Sequence, residues 1–431
     1  MAKMETGTPD LRASGARRVG ISLNVKAIAL ILSAGLLLRL FLASLPGFPV
    51  DVGSFQAWSL VLADRGPWNF YDGGFFADYT PGYLYVLWFI GGLHKIFAFD
   101  SGQFEYVLKL PAVFFDLASA YLLYRMLDGQ RPLLRLGAPA LYLVLPPVLL
   151  LGPVWGQTDS ILAFFLLLTV YYLSRGRPVT GALAYTVGFI TKPQAVAALP
   201  ILAFWILWNH TPQVWLKCVA ASLIAGFFII LPFFPDRAYL IVPPFEGMFH
   251  RLEYAATVES YRVSSFFAYN FWGMKVGLFK PDATTFWGIA YRIWGFGLFA
   301  MASLAIVYVF GRTRSPGLMA LAVALSTLAF YVFLTRMHER YLFSALLPLL
   351  AACAILNYRL LWTAFVGLVL VHFLNLYVVY SYDLYNPDGP TLDLWIEDRV
   401  FLLSLLTTLA FPLLLIAGRF LVIRSGASKA T

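Results

Sequence analysis

The chain has 431 residues, 60% of them hydrophobic and only 12% charged, with a formal net charge of +9. A soluble domain of this size would need far more polar surface, so a polytopic membrane protein is indicated. Cys218 and Cys353 both fall in apolar segments, which excludes a disulfide framework or a cysteine metal cluster, and the positive charge is explained by loop topology rather than by nucleic acid.

Residues 1–24 are polar and basic, with Arg12, Arg17 and Arg18. The apolar run that follows has no small-residue cleavage site, since Pro46, Gly47 and Pro49 come after it, so it reads as a retained first span. About twelve spans are expected, at 25–45, 105–126, 134–151, 160–174, 178–191, 195–209, 213–233, 286–310, 316–334, 341–357, 359–380 and 400–420. Loops on one side then hold Arg125, Arg131 and Arg135, Arg175 and Arg177, Lys217, Arg312 and Arg314, and Arg359. Both termini join them, so that side is expected to be cytoplasmic. Residues 81–98 are apolar enough to be a thirteenth span, but counting them would reverse every later loop. The segment also carries Gly91, Gly92, His94 and Lys95, and is expected to lie in the outer interface.

The expected fold class is therefore an all-α polytopic membrane protein. A cytoplasmic tail (1–24) precedes one transmembrane domain (25–423), and a short tail (424–431) ends the chain. The outer side has a first loop with juxtamembrane helices (46–104), a second loop (234–285) and an acidic third (381–399). No internal repeat or long linker is evident.

Several cations fall on the side where positive charge is normally excluded. Lys109, Lys192, Arg251, Arg336 and Arg340 lie at or near outer span ends, close to Asp51 and Asp159. An anionic ligand at the outer leaflet, such as a lipid-linked phosphate, accounts for them. Asp51 follows the first span, with Phe55 and Trp58 on the same helical face; it reads either as a helix cap or as a site carboxylate above the membrane. Asp159, in Gly152–Ser160, has the same two readings. Arg39, Asp116 and Arg292 fall within spans, where a charge costs ~2.5–3.5 kcal/mol and needs a partner. Arg39 and Asp116 form either a structural ion pair, or a phosphate site in which Arg39 and Lys109 bind and Asp116 orients them. Lys192 either snorkels or meets a headgroup. Thr335–Tyr341 is the densest cluster, with Arg336, His338, Glu339 and Arg340 at one outer hairpin. A structural Glu339–Arg pair is one reading, and an anion site is the other. There is no HExxH, GxGxxG, P-loop or Asp-x-Asp motif, which argues against a soluble nucleotide donor.

Taken in order, these motifs resemble the superfamily C glycosyltransferases, polytopic enzymes that take sugars from polyprenyl-phosphate donors. The resemblance rests on Asp51 with Phe55 and Trp58, Tyr79-Thr80-Pro81-Gly82, Lys109 and Asp116, Trp155-Gly156-Gln157-Thr158-Asp159, Thr191-Lys192-Pro193, and Met337-His338-Glu339-Arg340-Tyr341. The last is most similar to mannosyltransferases of glycosylphosphatidylinositol assembly and their prokaryotic relatives. The resemblance implies inverting transfer of a hexose, mannose first, to a lipid, glycan or protein hydroxyl on the outer face. It implies Asp51 as general base, with Asp159 the second catalytic candidate. Arg39, Tyr79, Lys109, Gln157, Lys192, Arg251, Arg336, His338, Glu339 and Arg340 would line the substrate site. No cofactor is expected: relatives carry an acidic pair in the first loop where this chain has Asp51 alone, which argues against a divalent metal. A lipid transporter or flippase is the rival class, but it would be expected to show repeated halves with broken helices. A lipid-pyrophosphate polymerase or ligase is the rival within enzymes.

Overall fold

A computed structural model describes residues 11–71, 74–234, 242–258, 261–385 and 399–427. Residues 1–10 of the N-terminal tail, Asp72, Arg237 and residues 386–398 of the acidic third loop lie outside them. The regular elements of the described residues are helical except for a small hairpin, β1 (Thr285–Phe286) and β2 (Ile289–Ala290), and isolated bridges such as Val263–Pro281.

Eight apolar segments are long enough to cross a bilayer. They are Val25–Leu42 within α1 (Leu11–Leu42), α4 (Ser101–Met126), Pro212–Phe233 containing α10 (Pro212–Ile230), α13 (Tyr291–Phe310), α14 (Pro316–Phe333), Glu339–Leu356 containing α15 (Phe343–Leu356), and parts of α16 (Arg359–Tyr385) and α17 (Val400–Ala427). A ninth is the pair α5 (Pro132–Val144) and α6 with its π-helical end (Pro146–Val154), bent by 51°. Pro146 and Pro147 explain the break, because proline removes a backbone donor and clashes with the preceding turn. The three other expected spans are the shorter apolar helices α7 (Asp159–Ser174), α8 (Pro178–Thr191) and the segment Pro193–Asn209, which opens as a 3₁₀ turn and continues as α9 (Leu199–Asn209). The expected span from 286 begins only at Tyr291, since β1 and β2 occupy its first residues.

The helices α14 and α15 form the centre. They are the most buried of the eight, at 83% and 78% of their apolar windows, while α1 and α10 are at 17%. That ordering places α1 and α10 at the periphery, where an apolar surface facing lipid needs no protein partner.

The first loop folds on itself. Helix α2 (Pro49–Arg65) starts at a proline, which suits its first turn. Its buried Phe55, Trp58 and Leu62 pack on Tyr83, Leu84, Leu87 and Ile90 of α3 (Pro81–Phe97). The helices cross so closely that a Cβ on Gly91 would strike the Ser59 carbonyl. Trp58 Nε1 donates to the Phe76 carbonyl at 2.9 Å and secures the connecting turn. Helix α3 has 17 residues, one more than α7 and three more than α8, so length does not set it apart; it exposes Phe89, Ile96 and Phe97.

The second loop includes α11 (Val242–Thr257) and α12 (Phe271–Val276). Asn270 caps α12 through Trp272 N–H and Gly273 N–H, and its amide nitrogen donates to the Tyr331 carbonyl, 3.1 Å away. The segment before α12 runs beside the Thr335–Tyr341 hairpin, where Phe266 N–H donates to the Met337 carbonyl at 2.9 Å.

Candidate functional site

Four separate stretches converge at one end of the bundle. Asp51 sits in the first turn of α2, half-buried, and Trp155 Nε1 donates to its Oδ2 at 2.6 Å. Trp155 is fully buried; its ring stacks on Phe48 at 4.4 Å, and its carbonyl accepts from Phe48 N–H. The turn after it needs Gly156, whose φ of +92° suits glycine. Beyond the turn, the Tyr79 hydroxyl donates to Gln157 Oε1 at 3.2 Å and lies 3.3 Å from the Thr158 hydroxyl. Asp159 then opens α7, where a carboxylate faces the positive end of the helix.

Lys192 stands at the break between α8 and the following 3₁₀ turn. Its Nζ is 2.7 Å from Asp159 Oδ2, and both groups are buried. Helix α3 is fitted against this break. Thr80 Oγ1 donates to the Ile190 carbonyl at 2.6 Å, and a Cβ on Gly82 would lie 2.6 Å from Thr191 backbone.

The Thr335–Tyr341 hairpin closes the other side. Arg336 adopts φ +65°, unusual for a residue with a side chain, and its Nε donates to Asp282 Oδ2 at 2.6 Å. Arg340 Nη1 donates to Glu339 Oε1 at 3.2 Å. The His338 ring is packed by Tyr261 (4.9 Å), Phe266 (4.6 Å) and Tyr341 (5.2 Å).

Together these elements enclose a cavity of about 370 Å³. Its charged lining is Asp78, Lys192, Arg292, Arg336 and Arg340, so cations outnumber carboxylates. Arg340 Nε makes no hydrogen bond among the described residues, and Lys192 makes none beyond its Asp159 contact. Buried donors without partners are uncommon unless a ligand or water meets them. Phe296 and Val196, both largely exposed on the outer surface of the bundle, form part of an apolar wall. An anion with an apolar tail matches this lining.

Burial pushes the Asp78 carboxyl up, opposed by Arg340 and Lys192 and reinforced by Asp51. Burial also raises the Tyr79 phenol. His338 is pushed well below its ordinary range by burial and by the charges of Arg340 and Lys192, so it is neutral at pH 7 and is not an anion ligand by charge. These mutual effects place Asp51, Asp78, Lys192 and Arg340 within one electrostatic neighbourhood.

Three expected site residues lie elsewhere. Arg39 is fully buried and pairs with Asp116 at 2.9 Å, while its NH1 donates to the Leu143 carbonyl. Tyr142 adds a long hydrogen bond to Asp116, so the pair ties α1, α4 and α5. Lys109 donates to the carbonyls of Ala43 and Leu45 and pairs with Glu105 at 2.7 Å, tying the end of α1 to α4. Arg251 lies over the Tyr71 ring at 4.3 Å and donates to the Tyr71 carbonyl, fastening the second outer loop to the first. The remaining expected residues surround the cavity or stand directly behind it.

Sequence reasoning passed over Asp78, Tyr261 and Asp282. Asp78 directly precedes the Tyr79-Thr80-Pro81-Gly82 motif, a signal that could have found it. Tyr261 and Asp282 reach the site only through the fold of the second loop. Among the described residues, no group of three or more His, Cys, Asp or Glu side chains is gathered to hold a metal ion. Neither a protein-family model nor a curated protein sequence matches this chain.

Proposed function

We propose that this chain is an integral membrane glycosyltransferase that moves a hexose, mannose in the first instance, from a polyprenyl-phosphate donor to an acceptor hydroxyl, with inversion. The observation that carries the reading is the cavity itself. Lys192, Arg336, Arg340 and Asp78 line it, with an apolar wall at Phe296 and Val196; Asp51 is not in the lining, but its charge acts on Asp78 and Arg340.

In this reading the cations hold the donor phosphate. Their charge is preorganised for the phosphate that leaves, which is where electrostatic stabilisation is most effective. Asp51 takes the proton of the acceptor hydroxyl as its oxygen bonds to the anomeric carbon. The bond from that carbon to the phosphate oxygen breaks, and the polyprenyl phosphate departs. Trp155 holds the Asp51 carboxylate in place, and Asp78 positions the acceptor from the cavity wall. The apolar wall gives the polyprenyl chain a lateral route from the bilayer.

The same proposal extends to topology. The short helices α7 and α8 and the segment Pro193–Asn209 would also cross, giving twelve spans. The site would then face outward, α3 would lie in the outer interface, and both termini would be cytoplasmic. Support comes from Arg125, Arg131, Arg135, Arg175, Arg177, Arg312, Arg314 and Arg359, all in turns or helix ends away from the cavity.

The test uses purified protein in nanodiscs with labelled polyprenyl-phosphate-mannose and a membrane extract as acceptor source. Transfer of label with release of polyprenyl phosphate is expected. Movement of intact donor across vesicles without transfer would instead make the chain a flippase.

A further inference from the structure

The helix α13 connects the cavity to a second concavity. Arg292 and Phe296 near its start line the cavity, and Arg312 follows its end. Arg292 and Arg312 are 20 residues apart, so at about 1.5 Å per residue these two arginines are separated by roughly the thickness of a bilayer's hydrocarbon core, while Phe296 and Leu304 are only eight residues apart.

This second concavity is a groove of about 580 Å³ between α9, α13 and α17. Phe204, Trp208, Leu304 and Tyr308 supply apolar walls, and Leu304 and Tyr308 are 69% and 79% exposed. Two exposed cations flank it. The Arg312 guanidinium lies 4.2 Å over the Trp208 ring, and Arg419 lies 5.8 Å from the Tyr308 ring centre. No carboxylate lines the groove, and among the described residues neither arginine forms an ion pair.

Orientation of the chain explains why arginines gather at this end. Arg135 and Arg175 at the same end also lie over tyrosine rings, at 4.4 Å, so what sets this pair apart is the apolar cleft that Arg312 and Arg419 border together. Stacking holds the Arg312 guanidinium over its ring while leaving its edge donors available, and Arg419 lies within cation–π range of Tyr308. A phosphodiester between them would meet both charges, and an acyl chain would continue along Phe204 and Leu304.

We propose that this groove is a binding site for an acidic phospholipid, with the headgroup phosphate between Arg312 and Arg419 and an acyl chain against α9 and α13. The site is separate from the cavity and stands whether or not the chain transfers sugar. Juxtamembrane cations and basic pockets between helices attract such headgroups.

Native mass spectrometry of the delipidated full chain in detergent tests it. Phosphatidylglycerol and phosphatidylcholine with matched chains would be titrated together. Phosphatidylglycerol should bind in preference. Arg312→Gln with Arg419→Gln should weaken it roughly 30-fold, the loss of two near-surface cations, with phosphatidylcholine binding unchanged. A control that removes two exposed arginines of the same end, Arg131→Gln with Arg359→Gln, should retain wild-type binding. Glycerophosphoglycerol, which has the headgroup and no chains, should not displace the lipid. Equal binding of the two lipids to the wild-type chain would overturn the proposal. So would an equal loss in the control pair, or displacement by the chainless headgroup. Should the glutamine pair fail to fold, the competition on wild-type protein still decides, alongside Arg312→Lys with Arg419→Lys, which should keep most of the preference.

Discussion

Trp155 and Asp51 are 104 residues apart in sequence and joined by a 2.6 Å hydrogen bond. The bond spans the two motifs on which the catalytic reading depends. It fixes one carboxylate oxygen of Asp51 and leaves the other to act. Trp155→Phe would keep the stack on Phe48 and remove only the indole donor. Such a deletion is expected to cost about 1–3 kcal/mol of stability. Turnover should fall while the donor KM stays near wild type, because the phosphate ligands are elsewhere. Steady-state kinetics and a thermal melt check both halves, and a rise in donor KM alone would contradict the assignment.

The position of Asp78 makes a pH-dependent prediction. Its carboxyl is raised above the ordinary value of 3.8, chiefly by burial. The folded state therefore binds the proton more tightly than the unfolded chain. Its contribution to stability is most favourable at low pH and is lost as pH rises through the folded pKa. Asp78→Asn should melt higher than wild type at pH 7, and the difference should shrink as pH falls toward 3.8. Melting curves across that range decide; a difference that does not vary with pH would sink the idea.

The Arg39–Asp116 pair separates structure from chemistry. Breaking a fully buried pair leaves one uncompensated charge and costs about 3–5 kcal/mol. Arg39→Met alone should therefore reduce expression or melting temperature sharply. Arg39→Met with Asp116→Leu should recover much of the loss, and the double variant should show a wild-type donor KM. A raised donor KM in the stable double variant would return Arg39 to the phosphate site.

How much of this was legible in the sequence depended on distance along the chain. The apolar runs marked the helices expected as spans, because burial in lipid or core needs only composition and length, but they gave no sign of α11 and α12 or of the break between α5 and α6. Helix boundaries were less clear at 286–290, where a two-residue hairpin replaces the start of an expected span. The Trp155–Asp159 and Thr335–Tyr341 clusters were visible because several polar and ionisable residues interrupt apolar runs there. Lys109 and Arg39 were indistinguishable from phosphate ligands by type. Only the fold reveals that carbonyls at the end of α1, Glu105 and Asp116 already pair with them, although Arg39 Nη2 has no hydrogen-bond partner among the described residues. Asp282 could not be found at all, since its role is to hold Arg336 across 54 residues.

Placement of the first loop is also testable. Single cysteines at Asp100 and Trp287, both exposed, in an otherwise cysteine-free chain, should both react with an impermeant reagent from outside intact cells. Labelling of position 100 only from the cytoplasm would mean that α3 crosses the membrane, and the topology would be reversed from there on.

The most direct measurement compares single-turnover release of polyprenyl phosphate by wild type, Asp51→Asn and Asp78→Asn, all purified in nanodiscs with labelled polyprenyl-phosphate-mannose. Asparagine caps a helix about as well as aspartate, so Asp51→Asn should fold. Its turnover should fall by ~10²–10⁴-fold, the usual contribution of a positioned base, with donor binding retained. Asp78→Asn should lose less and show its defect mainly in acceptor KM. Near-normal turnover by Asp51→Asn would contradict the account and pass the role of base to Asp78 if that variant is dead; no release by the wild-type chain would remove the glycosyltransferase reading itself.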